Sequence, residues 1–428
     1  MAKDNSTPPD QEPPSEYTPQ ACLTILGSFT GLFCTVGFMN SFGVFQEYYG
    51  KGQLADKSES TIAWLGAISI FCIFFISVFS GQLLDMFGPT LMLCVGSLGT
   101  VFSLMMVSLC KEFYQFILAQ GILLGISFAL LACPMLALVG QHIKVKRGAA
   151  LGIVLGGSSL GGVIWPIAIN ELLQKPNIGF GWTMRIVAFI MIPLLSVSCI
   201  CCRPPKISLT PTQRRASDEG KATIPEAKPS VPRTDFSVLK KPSLQLSCLA
   251  FFIIYFGMFS PFFFTTSYAV AKGFSTDLAF YTISIVNGAS FFGRVLPGIV
   301  ADRYGKFNCC IIFTFFSGII ALCWTKATSV AGLVMFSLAY GFSSGAILSL
   351  QQACAVQVAT PQTIGLTMGT VMAATSFSAL AGVPISGELA GKYGYLALSI
   401  YSGVSLLAGS VLLAAARFVQ SRKLLAIV

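Results

Sequence analysis

Twelve apolar stretches constrain this chain more than any other feature, because each is close to the roughly 20 residues a helix needs to cross the bilayer core. They fall at approximately 20–44, 61–83, 89–110, 113–136, 149–172, 182–202, 244–266, 279–301, 308–325, 329–350, 363–386 and 395–417. In lipid a spanning segment must satisfy its own backbone hydrogen bonds, so runs of this length are expected as helices. The composition agrees: 54% of the 428 residues are hydrophobic and 10% are charged, against roughly 25% charged in a soluble domain. The expected fold class is an all-α polytopic membrane protein with twelve transmembrane helices, solvated by the lipid bilayer. The net charge of +10 therefore belongs to membrane-flanking loops, and no nucleic acid is expected as a partner.

The polar intervals set the domain organisation. Residues 1–19, with five prolines and no apolar run, are expected as a disordered cytoplasmic tail. Residues 20–202 form an N-terminal six-helix bundle, 203–243 a linker rich in Pro, Ser, Thr and basic residues, 244–417 a C-terminal six-helix bundle, and 418–428 a second tail. Most of the 27 Lys and Arg residues fall on one side if both ends are inside, which predicts cytoplasmic termini and linker. The plasma membrane is preferred over the vacuole as the default. Arg214-Arg215-Ala216-Ser217 in the linker has the form of a basic-directed phosphorylation site.

Enzymatic chemistry finds little material here. A single histidine, His142, rules against a His-based metal centre or a Ser-His-Asp triad, since both need imidazole among converging groups. The 14 cysteines are scattered through apolar runs and read as small buried side chains. No catalytic set, metal or cofactor is expected, and the chain is not expected to be an enzyme.

The two halves repeat each other. The second span ends in Gly81-Gln-Leu-Leu-Asp85-Met-Phe-Gly88, and the eighth in Gly298-Ile-Val-Ala-Asp302-Arg303-Tyr-Gly305. Both are G-x-x-x-D-x-x-G, 217 residues apart. Gly121 and Gly125 match Gly341 and Gly345 at an offset of 220, and Pro166 matches Pro384 at 218. A shared offset across three features indicates two homologous six-helix units. Glycine permits close helix packing in lipid, and an Asp at the loop edge suits the positive end of a neighbouring helix.

This pattern resembles the major facilitator superfamily over residues 20–417. The resemblance implies the major facilitator fold, with two pseudo-symmetric halves that rock about a central cavity in alternating access. It also implies conformational gating by Gly81, Asp85, Gly88, Gly298, Asp302, Arg303 and Gly305, with Asp85 latching the eleventh helix and Asp302 the fifth. The strings Gly37-Phe-Met-Asn40-Ser-Phe-Gly43, Gly156-Gly-Ser-Ser-Leu-Gly-Gly-Val-Ile-Trp165-Pro166, Gly181-Trp-Thr-Met-Arg185 and Gly293-Arg294 look like the fungal monocarboxylate-transporter-like branch, the monocarboxylate porter family. In the animal carriers of that family an Arg in the eighth helix pairs with an Asp one turn earlier, and a first-helix Lys helps receive substrate and proton. Arg294 holds the Arg position, while Ser290 and Asn40 stand at the other two. Proton coupling is thus carried as a possibility of the family, with its usual partners replaced.

Arg294 is the leading substrate-binding candidate. A charge at mid-span costs about 2.5 to 3.5 kcal/mol on insertion scales and is kept where it lines a cavity or is paired. Asn287, Ser290 and Arg294 are spaced by three and four residues and share a helix face. Asn40, Tyr255 and Tyr340 complete the candidate set, with Tyr268 and Phe262 to Phe264 as further aromatic wall. Glu171 with Arg185 is a candidate outer gate, and His142 is expected as a solvated loop residue. The function expected is a secondary active or facilitative transporter of a small organic anion, monocarboxylate-like, or an amphipathic metabolite. Export of a secondary metabolite and import of a vitamin-like acid both suit this fold. A non-transporting solute sensor is the alternative of another class.

Overall fold

The computed structural model describes residues 17–204, 236–360 and 363–422. Most of the N-terminal tail, most of the linker including Ser217, and the last six residues lie outside the described residues. Among the described residues every regular element is helical. Twelve long helices follow in order among the described residues. They are α1 (Pro19–Lys51), α2 (59–87), α3 (89–107), α4 (Phe113–His142), α5 (Arg147–Gln174) and α6 (Gly179–Cys201), then α7 (Pro242–Ala271), α8 (Leu278–Tyr304), α9 (Lys306–Leu322), α10 (Val330–Val358), α11 (364–393) and α12 (395–420). The last two run as one stretch, Ile364–Gln420, interrupted at Gly394, where φ is 77°.

The turns explain why glycine closes both copies of the repeated motif. Gly88 has φ 74° and Gly305 φ 96°, a region that L side chains rarely enter and that glycine populates freely. Each lets one helix end and the next start almost at once. On the opposite face Gly179, at φ 64°, and Gly394, at φ 77°, start α6 and α12 in the same way.

Contacts among helix ends sort the two faces of the bundle. Gln20 donates to Pro204 O at 3.2 Å, and Lys241 Nζ donates to Val358 O at 3.1 Å. These place the start of α1, the end of α6, the start of α7 and the end of α10 on one side, the linker face. His142, expected as a solvated loop residue, is half-buried at the end of α4 and hydrogen-bonded there. Its Nε2 meets Arg203 O at 2.9 Å and Thr24 Oγ1 at 3.5 Å, tying α1, α4 and α6 together there.

Helices α5 and α11 are glycine-faced wedges between the halves. A Cβ built on Gly161 would lie 2.5 Å from Phe33 O of α1. On the other side of α5, one on Gly148 would lie 2.5 Å from Gly298 O, and one on Gly152 would overlap Arg294 O of α8. In the second half Gly365 faces Gly81 at 3.2 Å and Gly369 faces Ser77 O at 2.8 Å, both on α2. Gly148 and Gly152 stand 217 residues before Gly365 and Gly369, the offset of the repeated motif. The same crowding, with Gly125 against α2 and Gly345 against α8, explains the glycines shared by α4 and α10.

Candidate functional site

Two breaks in otherwise long helices open the centre. Helix α1 is interrupted at Thr35 and again at Asn40 and Ser41, between Val36–Met39 and Phe42–Lys51. Helix α7 is interrupted at Phe259, between Pro242–Met258 and Ser260–Ala271. In membrane proteins a broken helix is tolerated where it lines a cavity or is buried in protein. Both breaks meet the same space.

A cavity of about 980 Å³ opens on the side away from the linker face, walled by Gln46 and Glu47 of α1, Asn170 and Glu171 of α5, and Phe263 and Thr266 of α7. A smaller chamber of about 120 Å³ lies further in. Asn40, Phe262, Phe263 and Ile283 line both. Inner walls are mostly apolar: Val36, Met39, Ile73, Phe74, Leu136, Phe259 and Met372.

Arg294 stands at the inner end of this path, 3% exposed. Its Nη1 donates to Leu155 O at 2.7 Å and to Ser158 Oγ, both on α5. Its Nε has no partner. Among the described residues no carboxylate lies within 4 Å of it, the three ion pairs being Lys51–Glu47, Lys57–Asp56 and Lys392–Glu388. The first two sit at the outer cavity, where Lys57, hydrogen-bonded to Asp56, holds that exposed carboxyl below its usual range. Cations at the mouth are thus paired, and the cation inside is not.

Polar neighbours of Arg294 form a clasp across the halves. Asn40 Nδ2 donates to Asn287 Oδ1 at 3.2 Å and to Ser158 O at 3.4 Å. Gly162 leaves room for it, since a Cβ there would lie 2.6 Å from Asn287 Oδ1. Of the candidate substrate residues, Asn40, Asn287, Arg294 and Tyr255 line the chamber. Tyr255 donates to Gln351 at 2.6 Å. Ser290 points elsewhere, with its Oγ 2.7 Å from the position a Cβ on Gly345 would take. Tyr340 donates to Met258 O at 2.7 Å and stacks on Phe336, outside the chamber lining. Tyr268 is held by Thr325 O and Ala327 O. Arg185 Nε donates to Ser108 and its guanidinium lies over Trp182, without an ion pair to Glu171.

One chamber residue was missed from sequence. Gln352 of α10 is 3% exposed, lines the chamber, and leaves its Oε1 without a partner. The expected tenth span stops at 350, just short of the polar pair Gln351-Gln352, whereas α10 carries on to Val358 and takes both into the protein interior.

The gating candidates occupy the linker face. Asp302 Oδ1 accepts from Gly148 N at 2.8 Å and Oδ2 from Ala149 N at 2.9 Å, capping the first turn of α5. Arg303 is exposed. Gly81 lies against Gly365, and Gly298 against Gly148, so α2 touches α11 and α8 touches α5 at this end. The side chain of Asp85 lies outside the described residues. With these contacts made, the linker side is closed while the far side is open. Removing the cap by Asp302→Ala deletes two hydrogen bonds to a charged acceptor at a helix N-terminus, together about 1 to 3 kcal/mol. We expect roughly a tenfold rise in thiol labelling of a cysteine placed on α5 at this face, with Asp302→Asn intermediate. An unchanged labelling rate would show that the cap does not hold the face shut.

Known proteins share both the sequence and the architecture. Residues 21–359 match the family model described as Major Facilitator Superfamily. The chain is 46% identical over 414 residues to the agnestins efflux protein of Paecilomyces divaricatus, covering 96% of this chain and 91% of that one. It is 44% identical to an MFS-type transporter of Aspergillus fumigatus, covering 94% and 93%. It is 38% identical to the aspyridones efflux protein of Emericella nidulans, covering 96% and 80%. Among solved structures, the human organic anion transporter MFSD10 (TETRAN) superposes with a TM-score of 0.66 over 92% of this chain and all of that one, at 16% identity, a likeness of fold.

Proposed function

We propose, from the premise that this chain belongs to the Major Facilitator Superfamily and is a multi-pass membrane transporter, that it exports an amphipathic organic anion by alternating access. The observation that carries the anion is Arg294, buried at the inner end of an apolar chamber with no carboxylate within 4 Å among the described residues. A guanidinium so placed offers directed donors to a carboxylate or similar group, while the apolar walls hold the rest of the molecule. Efflux proteins named for fungal metabolites, at 46% and 38% identity, support the outward direction and the amphipathic cargo. The sequence likeness to the monocarboxylate porter branch supports a carboxylate as the charged group.

In this proposal the described form is the outward-open state of the cycle. The linker face is cytoplasmic, consistent with Lys144, Lys146, Arg147, Arg203, Lys241 and Arg303 at that end, and the membrane is the plasma membrane. Asp302, through its bonds to the first turn of α5, latches that face until cargo release favours reopening. Ser290 stands one turn from Arg294 where an acid would hold a proton. We therefore expect a pH gradient to act through ionisation of the cargo rather than through an Arg–carboxylate pair.

Flux from the purified protein in liposomes tests this. Labelled amphipathic carboxylic acids are expected to cross saturably, well above the leak of protein-free vesicles, and their methyl esters to show no protein-dependent flux. Esters crossing as fast as the acids would overturn the anion assignment.

A further inference from the structure

A second residue of the chamber lining carries a polar atom that nothing in the protein satisfies. Arg294 Nε is a donor and Gln352 Oε1 an acceptor; both residues are 3% exposed, both line the same chamber of about 120 Å³, and neither atom has a partner. A buried polar group left unpaired costs about 1 to 3 kcal/mol, so such pairs in native proteins call for an explanation. The other polar side chains in that lining are engaged: Asn40 with Asn287, Asn287 also with Ile283 O, Ser158 with Leu155 O and Arg294, and Tyr255 with Gln351. The protein thus leaves the Arg294 guanidinium and the Gln352 amide, two lining groups of the same chamber, with hydrogen-bonding capacity that it does not itself use.

Their surroundings set the shape between them. Phe74 lies edge-on to Tyr255 at 5.8 Å between centroids, and Tyr255 edge-on to Phe259 at 5.4 Å. Such walls favour a flat ring in contact with their faces and edges. A space of about 120 Å³ suits one ring with its substituents and no more. Anything larger must continue past Phe262 and Phe263 into the outer cavity of about 980 Å³.

Building on the anion assignment above, we propose that the chamber recognises a hydroxylated aromatic acid head group, its acidic oxygen on the Arg294 guanidinium and its ring hydroxyl bonded to the side-chain amide of Gln352. Gln352 is thereby a specificity-determining residue. A ring lacking the hydroxyl leaves Gln352 buried and unpaired, whereas a hydroxylated ring exchanges its hydration for that bond. Sites that bond a ligand hydroxyl in this way discriminate against the analogue lacking it.

The test uses the full-length protein in detergent or nanodiscs, with benzoate and its 2-, 3- and 4-hydroxy derivatives as probes. Binding is read by calorimetry and flux in liposomes. In the wild type at least one hydroxybenzoate is expected to bind tenfold or more tightly than benzoate. Gln352→Leu is expected to bring that ratio to near one while benzoate binding is kept, and Gln352→Glu to weaken every acid by placing a carboxylate near Arg294. Equal binding of benzoate and all three derivatives by the wild type, or a ratio that survives Gln352→Leu, overturns the proposal. Failure to bind any of these acids also overturns it. The anion assignment fails separately, if Arg294→Gln binds benzoate as the wild type does.

Discussion

Arg294→Gln is expected to reduce flux of the anionic cargo by roughly 30- to 1,000-fold, the equivalent of about 2 to 4 kcal/mol. The reasoning starts from desolvation. A guanidinium within the span is costly, and here it is eased by Leu155 O at 2.7 Å and by Ser158 Oγ, neutral acceptors that leave the charge itself uncompensated. In the proposed cycle an arriving anion completes that pairing among mostly apolar walls. Gln offers a shorter, uncharged amide, and α5 and α8 stay joined through the close backbone packing of Gly148 on Gly298 and Gly152 on Arg294 O, so the attraction is lost without separating the helices. Arg294→Lys is expected to fall between, because an ammonium keeps the charge but not the fork. Saturable flux of the labelled acid in liposomes, alongside thermal unfolding to confirm a folded variant, gives the measurement. Flux unchanged in Arg294→Gln would mean that the residue serves only to hold α8 against α5.

The second large effect concerns closure of the linker face. Gly298→Leu is expected to lower flux more than tenfold by keeping α5 and α8 apart at that end. A Cβ on Gly298 would overlap Gly148 O and lie 2.9 Å from Gly148 C, and both are backbone atoms that cannot rotate away. The contact exists in the described form, with the linker face closed, so the variant is expected to fold and insert but to favour a state in which that face is open. Spin labels at the exposed positions Val145 and Arg303 are expected to report a longer mean distance in the variant than in the wild type. Gly81→Leu repeats the experiment in the other half, where the built Cβ would lie 2.7 Å from Gly365 O. An unchanged distance distribution with lost flux would place the effect in binding rather than in gating.

Sequence alone determined the twelve spans, because lipid leaves an apolar run of that length no stable alternative to a helix. It also determined the two-fold repeat. The offset of 217 residues between the copies of G-x-x-x-D-x-x-G reappears where Gly148 meets Gly298 and Gly365 meets Gly81. The glycine pairs on α5 and α11 were legible by the same arithmetic, though their partners were not. A glycine reports that something comes close and does not say what.

Tertiary structure decided the site. Asn287, Ser290 and Arg294 share one face by helical spacing, yet Ser290 Oγ lies against Gly345 of α10 while Asn287 and Arg294 line the chamber. Helical spacing resolves a face to within a wide arc, and two neighbouring helices can divide that arc between them. Tyr340 and Tyr255 look alike in sequence, both aromatic in apolar spans, and only the second lines the chamber. Gln352 emerged only when its unpartnered oxygen was seen beside the space that Arg294 also lines. Spans and repeats follow from local chemistry, which each segment carries within itself. A binding chamber is made by contacts between residues hundreds of positions apart, and those are settled by how the helices pack.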